Sequence, residues 1–230
     1  MLDATDIQRL LLGHFTAPEG HPLVGKQVVV TAFLVRHPQG PFLFDTGMAQ
    51  TDPETEARYQ AVRRPLAQEL ARHGVRLGDI KLIANCHLHF DHAGGNHLFG
   101  GIPILCQRPE LDAVQRPNYT LPAAVADFPD ARFEVLDGEG QVLPGLRIVP
   151  TPGHTDGHQS LVVETKQGRV ILAGQAFTSA TEHAIAAYAR ELAIAGAPHA
   201  DYPLWIDRFA ELDPWRVLFA HDLAIWERGA

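Results

Sequence analysis

Six consecutive positions, 87 to 92, hold three histidines and one aspartate, all of them side chains that bind divalent metal ions. The segment reads His-Leu-His-Phe-Asp-His and follows a short apolar run. Alternate side chains of an extended chain point the same way, so His87 and His89 can hold one ion together. Asp91 and His92 lie just beyond, where a turn directs them towards a second ion. The spacing predicts a metal site rather than a polar loop with unrelated histidines.

Two further histidines stand in equivalent places, each just past a predicted strand. His154 ends a Thr-Pro-Gly-His segment, and His221 follows an apolar run that begins at Val217. The expected ligands fall into two groups of three, which are His87, His89 and His154 for one ion and Asp91, His92 and His221 for its neighbour. Three protein ligands with an open position suit a catalytic zinc ion. Two ions about 3.5 to 4 Å apart can bridge a water and hold the attacking and leaving oxygens.

The elements that must position these residues are strands that end beside them. Apolar alternation and β-branched residues predict strands at Gln27 to Val35, Phe42 to Phe44, Ile80 to Cys86, Ile102 to Cys106, Arg132 to Leu136, Leu146 to Val149, Ser160 to Thr165, Arg169 to Leu172 and Val217 to Ala220. Helical spacing predicts helices at Pro53 to His73, Pro109 to Gln115, Thr181 to Ile194 and Tyr202 to Leu212. Pro65 predicts a kink or two shorter helices in the first of these. The proline-rich stretch 116 to 130 predicts an irregular loop or lid. Strands followed by helices, twice over, predict two sheets sandwiched between helices.

Length and composition exclude several classes of protein. The chain has 230 residues, of which 46% are hydrophobic, which suits one domain over residues 1–230. The formal charge of −8, without a long basic run, argues against nucleic acid or an anionic membrane as partner. An apolar run of about 18 residues and a basic, apolar leader are both missing, so we expect a cytoplasmic chain that spans no membrane. Cys86 and Cys106 are expected as buried thiols. The sequence leaves a homodimer open.

Residues 87–96, His-Leu-His-Phe-Asp-His-Ala-Gly-Gly-Asn, resemble the motif of the metallo-β-lactamase superfamily, and within it the N-acyl-homoserine lactone lactonases. Further matching segments follow in the family's order, namely Phe44 to Met48, Thr151 to His154, Gly157 to Leu161 and Ala220 to Asp222. The resemblance implies an α/β fold, the αβ/βα four-layer sandwich, in which helices flank two mixed sheets. It also implies zinc, as one ion or two, with iron or manganese as alternatives, and a small-molecule substrate.

The activity implied by the resemblance is the opening of a lactone ring by a metal-activated hydroxide. Metal-bound water has a pKa near 7, one ion polarises the carbonyl oxygen and the other receives the alkoxide. Asp91 is the candidate group that takes and returns the proton. In this superfamily the residue at Asp45 supports the metal loop through a hydrogen bond, and His158 is a candidate for a similar role.

One ligand position departs from the family's pattern. Lactonases carry an aspartate that bridges both ions, whereas this chain has Gln175, a neutral amide and a poor bridge. We still expect at least one ion to bind. Thr178 replaces a tyrosine of the lactonases, and with Phe177 it is a candidate substrate contact. Glu182 and His183 could replace the missing ligand, but the start of a helix explains them more simply.

Three other functions remain open at this point. The same scaffold could hydrolyse a thioester or another ester, as in glyoxalase-II-like proteins. It could also serve a mono-iron oxygenase resembling persulfide dioxygenases, for which two histidines and one carboxylate suffice. Because Gln175 weakens the expected site, a non-catalytic relative that binds metal or senses a ligand is the third alternative.

Overall fold

The computed structural model describes residues 1–21, 23–116, 119 and 122–229. Its strands are β1 (Ile7–Thr16), β2 (Gln27–Val35), β3 (Phe42–Phe44), β4 (Val62–Arg63), β5 (Leu82–Ala84), β6 (Pro103–Gln107), β7 (Arg132–Leu136), β8 (Gly140–Leu143), β9 (Leu146–Pro150), β10 (Gln159–Thr165), β11 (Gly168–Leu172), β12 (Arg216–Leu218) and β13 (Ile225–Glu227). Its helices are α1 (Pro53–Tyr59), α2 (Leu66–Arg72), α3 (Arg108–Ala113), α4 (Pro122–Val125), α5 (Ala180–Ile194) and α6 (Ile206–Leu212).

The described strands form two mixed sheets with helices on their outer faces, so the predicted αβ/βα sandwich is confirmed. The first sheet has the order β4-β1-β2-β3-β5-β6-β7, and the second has the order β13-β12-β11-β10-β9-β8. In the first sheet β3, β5, β6 and β7 run parallel, while β1, β2 and β3 are antiparallel neighbours. In the second, β11 and β12 are parallel and the other pairs are antiparallel.

Alternation along β2 shows how the layers are held together. Phe33 and Val35 face the interior between the sheets, where they join a cluster that includes Leu161 of β10. Leu34 faces the opposite side and joins a cluster that includes Leu70 of α2. Both faces of β2 are therefore covered, which explains why its sequence is almost continuously apolar. Full burial of each such side chain contributes about 1.5–3 kcal/mol.

Most predicted elements have the expected type, and the differences lie mainly at their ends. The predicted helix from Pro53 to His73 is two helices, as Pro65 indicated. The first ends where Gln60 takes a left-handed φ of 48°, and the second begins directly after Pro65. The predicted strand from Ile80 to Cys86 is shorter, and the helix expected from Tyr202 begins four residues later.

Four strands, β1, β4, β8 and β13, were missed by the sequence analysis, and β4 lies inside the predicted helix from Pro53 to His73. The stretch 116–130, expected to be an irregular loop or lid, is described at 116, 119 and 122–130, where residues 122–125 form α4. Pro117 lies outside the described residues.

Strand direction brings the loops that carry the predicted ligands to one edge of the sandwich. β9 and β11 are each antiparallel to β10, so both run in the direction of β12. Loops that follow the carboxyl ends of parallel strands lie at the same edge of a sheet. Gln159, which is fully buried, ties the two sheets together there. Its side-chain nitrogen donates to Asn85 O at 2.8 Å, and its backbone N–H donates to Cys86 O at 2.8 Å.

Within the described part of the chain, no helix is long and apolar enough to cross a membrane.

Candidate metal centre

The first group of predicted ligands, His87, His89 and His154, converges on one point. His87 Nε2 lies 2.9 Å from His89 Nδ1, which in turn lies 3.1 Å from His154 Nε2. All three ligand atoms lie within 4.8 Å of one another. The first two residues come from the loop after β5 and the third from the loop after β9. The two sheets thus contribute jointly to this group.

The second group, Asp91, His92 and His221, also has its ligand atoms within 4.8 Å of one another. His92 Nε2 lies 3.1 Å from His221 Nε2 and 3.4 Å from Asp91 Oδ2. His221 Nε2 lies 3.5 Å from the same carboxylate oxygen. The structure therefore brings together both sets of three residues singled out in the sequence.

The hydrogen bonds of two rings show that the second group fits a cation. His221 Nδ1 donates to Val29 O at 2.7 Å, and His92 Nδ1 lies 3.0 Å from an oxygen of the Asp45 carboxylate. Both partners can only accept, so the proton of each neutral ring is on Nδ1 and Nε2 carries a lone pair. The two Nε2 atoms nevertheless face each other at 3.1 Å. A proton or a metal cation between them removes this repulsion, and the nitrogen and oxygen donors suit zinc, iron or manganese.

Burial keeps most of the imidazoles neutral, which is the form that binds a metal ion. It lowers the pKa of His154 to about 3 and that of His221 to about 4, and it lowers the pKa of His87 well below its ordinary range. Burial alone would raise the pKa of Asp91. Its interactions with His92, chiefly, and with His221 outweigh this effect and hold that pKa well below its ordinary range. Asp91 therefore stays ionised at neutral pH.

Asp45, which directly follows β3, supports the loop 87–92 through contacts with Cys86 and His92. Its carboxylate accepts from Cys86 N at 2.7 Å and from the Cys86 thiol at 3.1 Å, besides its contact with His92. Burial alone would lower the pKa of His92. The interactions with Cys86, Asp91 and Asp45 outweigh burial, so the pKa lies well above its ordinary value. The surroundings of this ring therefore favour a positive charge, whether a proton or a metal ion supplies it.

Gln175, after β11, lies against the second group, with its Oε1 3.1 Å from His92 Nε2. Its backbone N–H donates to His158 Nε2 at 3.0 Å, and His158 Nδ1 lies 2.8 Å from a threonine hydroxyl. The preceding Gly174 has φ 58°, and a Cβ there would lie 2.4 Å from Cys86 Cβ. Contacts of the backbone at Gly174 and Gln175 with the side chains of Cys86 and His158 thus determine where Gln175 lies. Since it is neutral, Asp91 is the one carboxylate among the six ligands of the two groups.

A cavity of about 200 Å³ opens beside both groups, reaching His89, His154, Asp91 and Gln175. Its other walls are the side chains of Phe15, His21, Tyr59, Phe90 and Tyr119. The Tyr59 ring lies 5.1 Å from that of Phe90 and 5.6 Å from that of Phe15. The sequence analysis missed Phe15, His21 and Tyr59 because they lie on distant segments, and no local pattern links these segments to the histidine loop.

The candidate substrate contacts Phe177 and Thr178 lie elsewhere, and the described lining of the cavity includes neither. Phe177 packs on the outer side of the second sheet, with its ring 5.1 Å from Trp205. Thr178 N donates to Glu182 Oε2 at 2.7 Å at the start of α5. His183 is buried among aromatic rings of the same layer. Glu182 and His183 thus belong to the helix, the simpler of their two interpretations.

Comparisons with known proteins agree with this geometry. Residues 25–221 match the family model described as the metallo-beta-lactamase superfamily. An N-acyl homoserine lactonase from Bacillus sp is 36% identical over 156 residues, which span 62% of this chain and 62% of that protein. The chain thus covers less than two thirds of this curated relative's length.

Solved structures give a likeness over more of the chain. A variant of the Bacillus thuringiensis lactonase AiiA, with N-decanoyl-L-homoserine bound at the active site, matches with a TM-score of 0.70 at 27% identity. An N-acyl homoserine lactone hydrolase, with its product N-hexanoyl-L-homoserine bound at the catalytic metal center, matches with the same two values. Each match covers 94% of this chain and 93% of the other.

Proposed function

The chain belongs to the metallo-beta-lactamase superfamily, and from that premise we propose that it is a metal-dependent hydrolase that opens N-acyl-homoserine lactones or related cyclic esters. The observation that carries the proposal is the pair of adjacent ligand groups beside one cavity. The similarity to proteins named N-acyl homoserine lactonase supports the choice of substrate class. A related hydrolase holds its product, an N-acyl homoserine, at the catalytic metal center.

Six residues in two groups would hold the metal: His87, His89 and His154, then Asp91, His92 and His221. Gln175 would add a neutral oxygen to the second group. Zinc, as one ion or two, with iron or manganese as alternatives, would act as a Lewis acid and lower the pKa of a bound water to about 7.

Asp91 is the residue that we assign to proton transfer. Its carboxylate lines the cavity and stays ionised, so it can accept the proton of an attacking water. Attack on the lactone carbonyl breaks the ring C–O bond, and the departing alkoxide then needs a proton. The protonated Asp91 returns that proton, so no net charge accumulates on the side chain.

The aromatic walls of the cavity suit the apolar part of the substrate. Phe15, Tyr59 and Phe90 pack against one another and line the cavity. A volume of about 200 Å³ is below the roughly 300–1,000 Å³ of pockets for drug-sized ligands. We propose that it takes the lactone ring and the first carbons of the acyl chain, and that the rest of a long chain lies outside.

The test is acid release from lactones by protein purified without chelators, together with elemental analysis. We expect bound metal, ring opening of N-hexanoyl-homoserine lactone, loss of activity on chelation and recovery when metal is returned. Replacing the exposed His199 by alanine is the control and should change neither readout. Metal-replete protein that opens no member of a broad lactone panel would refute the proposal.

A second candidate is a mono-iron oxygenase resembling persulfide dioxygenases. It is favoured by the second group, which consists of two histidines and one carboxylate. Iron in freshly purified protein, with oxygen consumption, would select it. Faster cleavage of a glutathione thioester than of a lactone would instead indicate a glyoxalase-II-like hydrolase.

A further inference from the structure

One buried acid, Glu110, belongs to neither ligand group. It lies on α3, and its side chain is fully buried. A buried carboxylate is costly unless hydrogen bonds satisfy its oxygens. Its partners therefore indicate what the side chain does.

Each oxygen of Glu110 holds a different loop of the first histidine group. Oε1 accepts from Leu88 N at 2.7 Å, and Leu88 lies between His87 and His89. Oε2 accepts from Thr155 Oγ1 at 2.7 Å, and Thr155 directly follows His154. One carboxylate thus joins a loop from the first sheet to a loop from the second.

Two more contacts strengthen this connection. A Cβ at Gly157 would lie 2.4 Å from Glu110 N, so the loop after His154 packs directly on α3. The Tyr119 hydroxyl donates to Glu110 Oε1, and the Tyr119 ring lies 4.9 Å from the His89 ring. Tyr119 also lines the cavity, so the contacts of Glu110 reach its wall.

The bonds to Glu110 come from donors, which favour its ionised form. Burial raises the pKa of Glu110, and hydrogen bonds from Leu88, Thr155 and Gly157 oppose that rise. Bonds to an ionised acceptor are about twice as strong as bonds between neutral groups. A neutral side chain of the same shape should therefore hold the loops less firmly.

We propose that Glu110 is a positioning residue, whose carboxylate fastens the loops 87–92 and 154–157 to each other so that His87, His89 and His154 converge on one ion. The inference rests on the proposed function, since it concerns the same site. The second group is anchored separately, with His92 on Asp45 and His221 on Val29 O. Loss of Glu110 should therefore weaken ion binding by the first group and leave the second largely unchanged.

The experiment is a titration of metal-free protein with Zn²⁺ in competition with a chromophoric chelator, which gives the number of ions bound and the affinity for each. Loss of a group that orients a metal ligand typically costs 10- to 100-fold in affinity. We expect a loss of about tenfold for Glu110→Gln and up to about 100-fold for Glu110→Ala, confined to one of the two ions.

A second, milder variant tests the inference even if the Glu110 variants misfold. Thr155→Val removes one bond and leaves the buried acid in place, and it should weaken the same ion severalfold. Combined with Glu110→Gln, its effect should be less than additive, because both changes act on the same hydrogen bond between Thr155 and Glu110. The matched control is Glu69→Gln, since Glu69 is a buried acid on α2 that pairs with Arg64 and Arg72. It should leave both affinities unchanged.

The outcomes separate this inference from the proposed function. If folded Glu110→Gln and Thr155→Val bind Zn²⁺ as the parent does, the inference is wrong, whatever the parent does to lactones. A uniform weakening of both ions would also overturn it. If ion binding depends on Glu110 as described but the parent opens no lactone, the inference stands and the proposed function falls.

Discussion

Replacing Gln175 by an acidic residue should strengthen the binding of metal at this site. Gln175 Oε1 lies 3.1 Å from His92 Nε2, and the side chain lines the cavity together with His89 and His154. A negative charge there would lie near both ligand groups. The first group consists of three neutral imidazoles, so it has the most to gain from an added charge.

The size of the effect follows from Coulomb's law. Two unit charges 4 Å apart attract by about 1 kcal/mol in water and about 4 kcal/mol at the effective dielectric of a protein surface. A divalent ion doubles these values, to about 2 and about 8 kcal/mol. Because Gln175 is half-buried, we take the lower value as the minimum. It corresponds to a gain of about 30-fold in affinity, at about 1.4 kcal/mol per factor of ten.

Three variants of Gln175 separate charge from length. Glutamate keeps the length and adds the charge, aspartate adds the charge on a shorter side chain, and asparagine is equally short but neutral. We expect Gln175→Glu or Gln175→Asp to bind the more weakly held ion at least about 30-fold more tightly, and Gln175→Asn to show no gain. Competition titrations with Zn²⁺ and elemental analysis after dialysis measure this. Equal affinities in the acidic variants and in Gln175→Asn would refute the electrostatic reasoning.

Three further predictions concern catalysis, backbone and pH. Asp91→Asn keeps the shape but removes the proton acceptor, so kcat for lactone opening should fall by about 10²- to 10⁴-fold, while His199→Ala retains it; an unchanged kcat would exclude the proposed role. Gly174→Ala puts a Cβ 2.4 Å from Cys86 Cβ at a φ of 58°. Urea titration should therefore show a free energy of unfolding that is lower by about 1–3 kcal/mol, and an unchanged value would contradict the reported contact. Burial lowers the pKa of His183 from 6.5 to about 4, so the unfolded chain takes up a proton first as the pH falls. His183 therefore leaves the stability unchanged above pH 6.5 and lowers it progressively between pH 6.5 and about 4. His183→Leu should therefore reduce the acid-induced fall in the urea midpoint across that window, and an identical pH profile would show that His183 does not contribute.

Local patterns in the sequence predicted much of the fold and the candidate ligands. A run rich in Val, Thr and Phe identified β2 with its observed bounds, because β-branched and aromatic residues favour strands. The spacing within 87–92 predicted a metal loop because residues that are close in sequence are also close in space. His154 and His221 could be added because both follow a strand, and parallel strands present their carboxyl ends at one edge.

Only the tertiary structure decided which distant residues meet. Phe15 and Tyr59 reach the cavity from β1 and α1, whereas Phe177 packs on the outer side of the second sheet. Nor does sequence spacing relate Glu110 to Thr155, which lie 45 positions apart and come within 2.7 Å. Such contacts depend on how the two sheets pack and on where each loop turns. The sequence by itself thus determined the chemistry that the chain can perform, and the packing of the sandwich determined which side chains surround it.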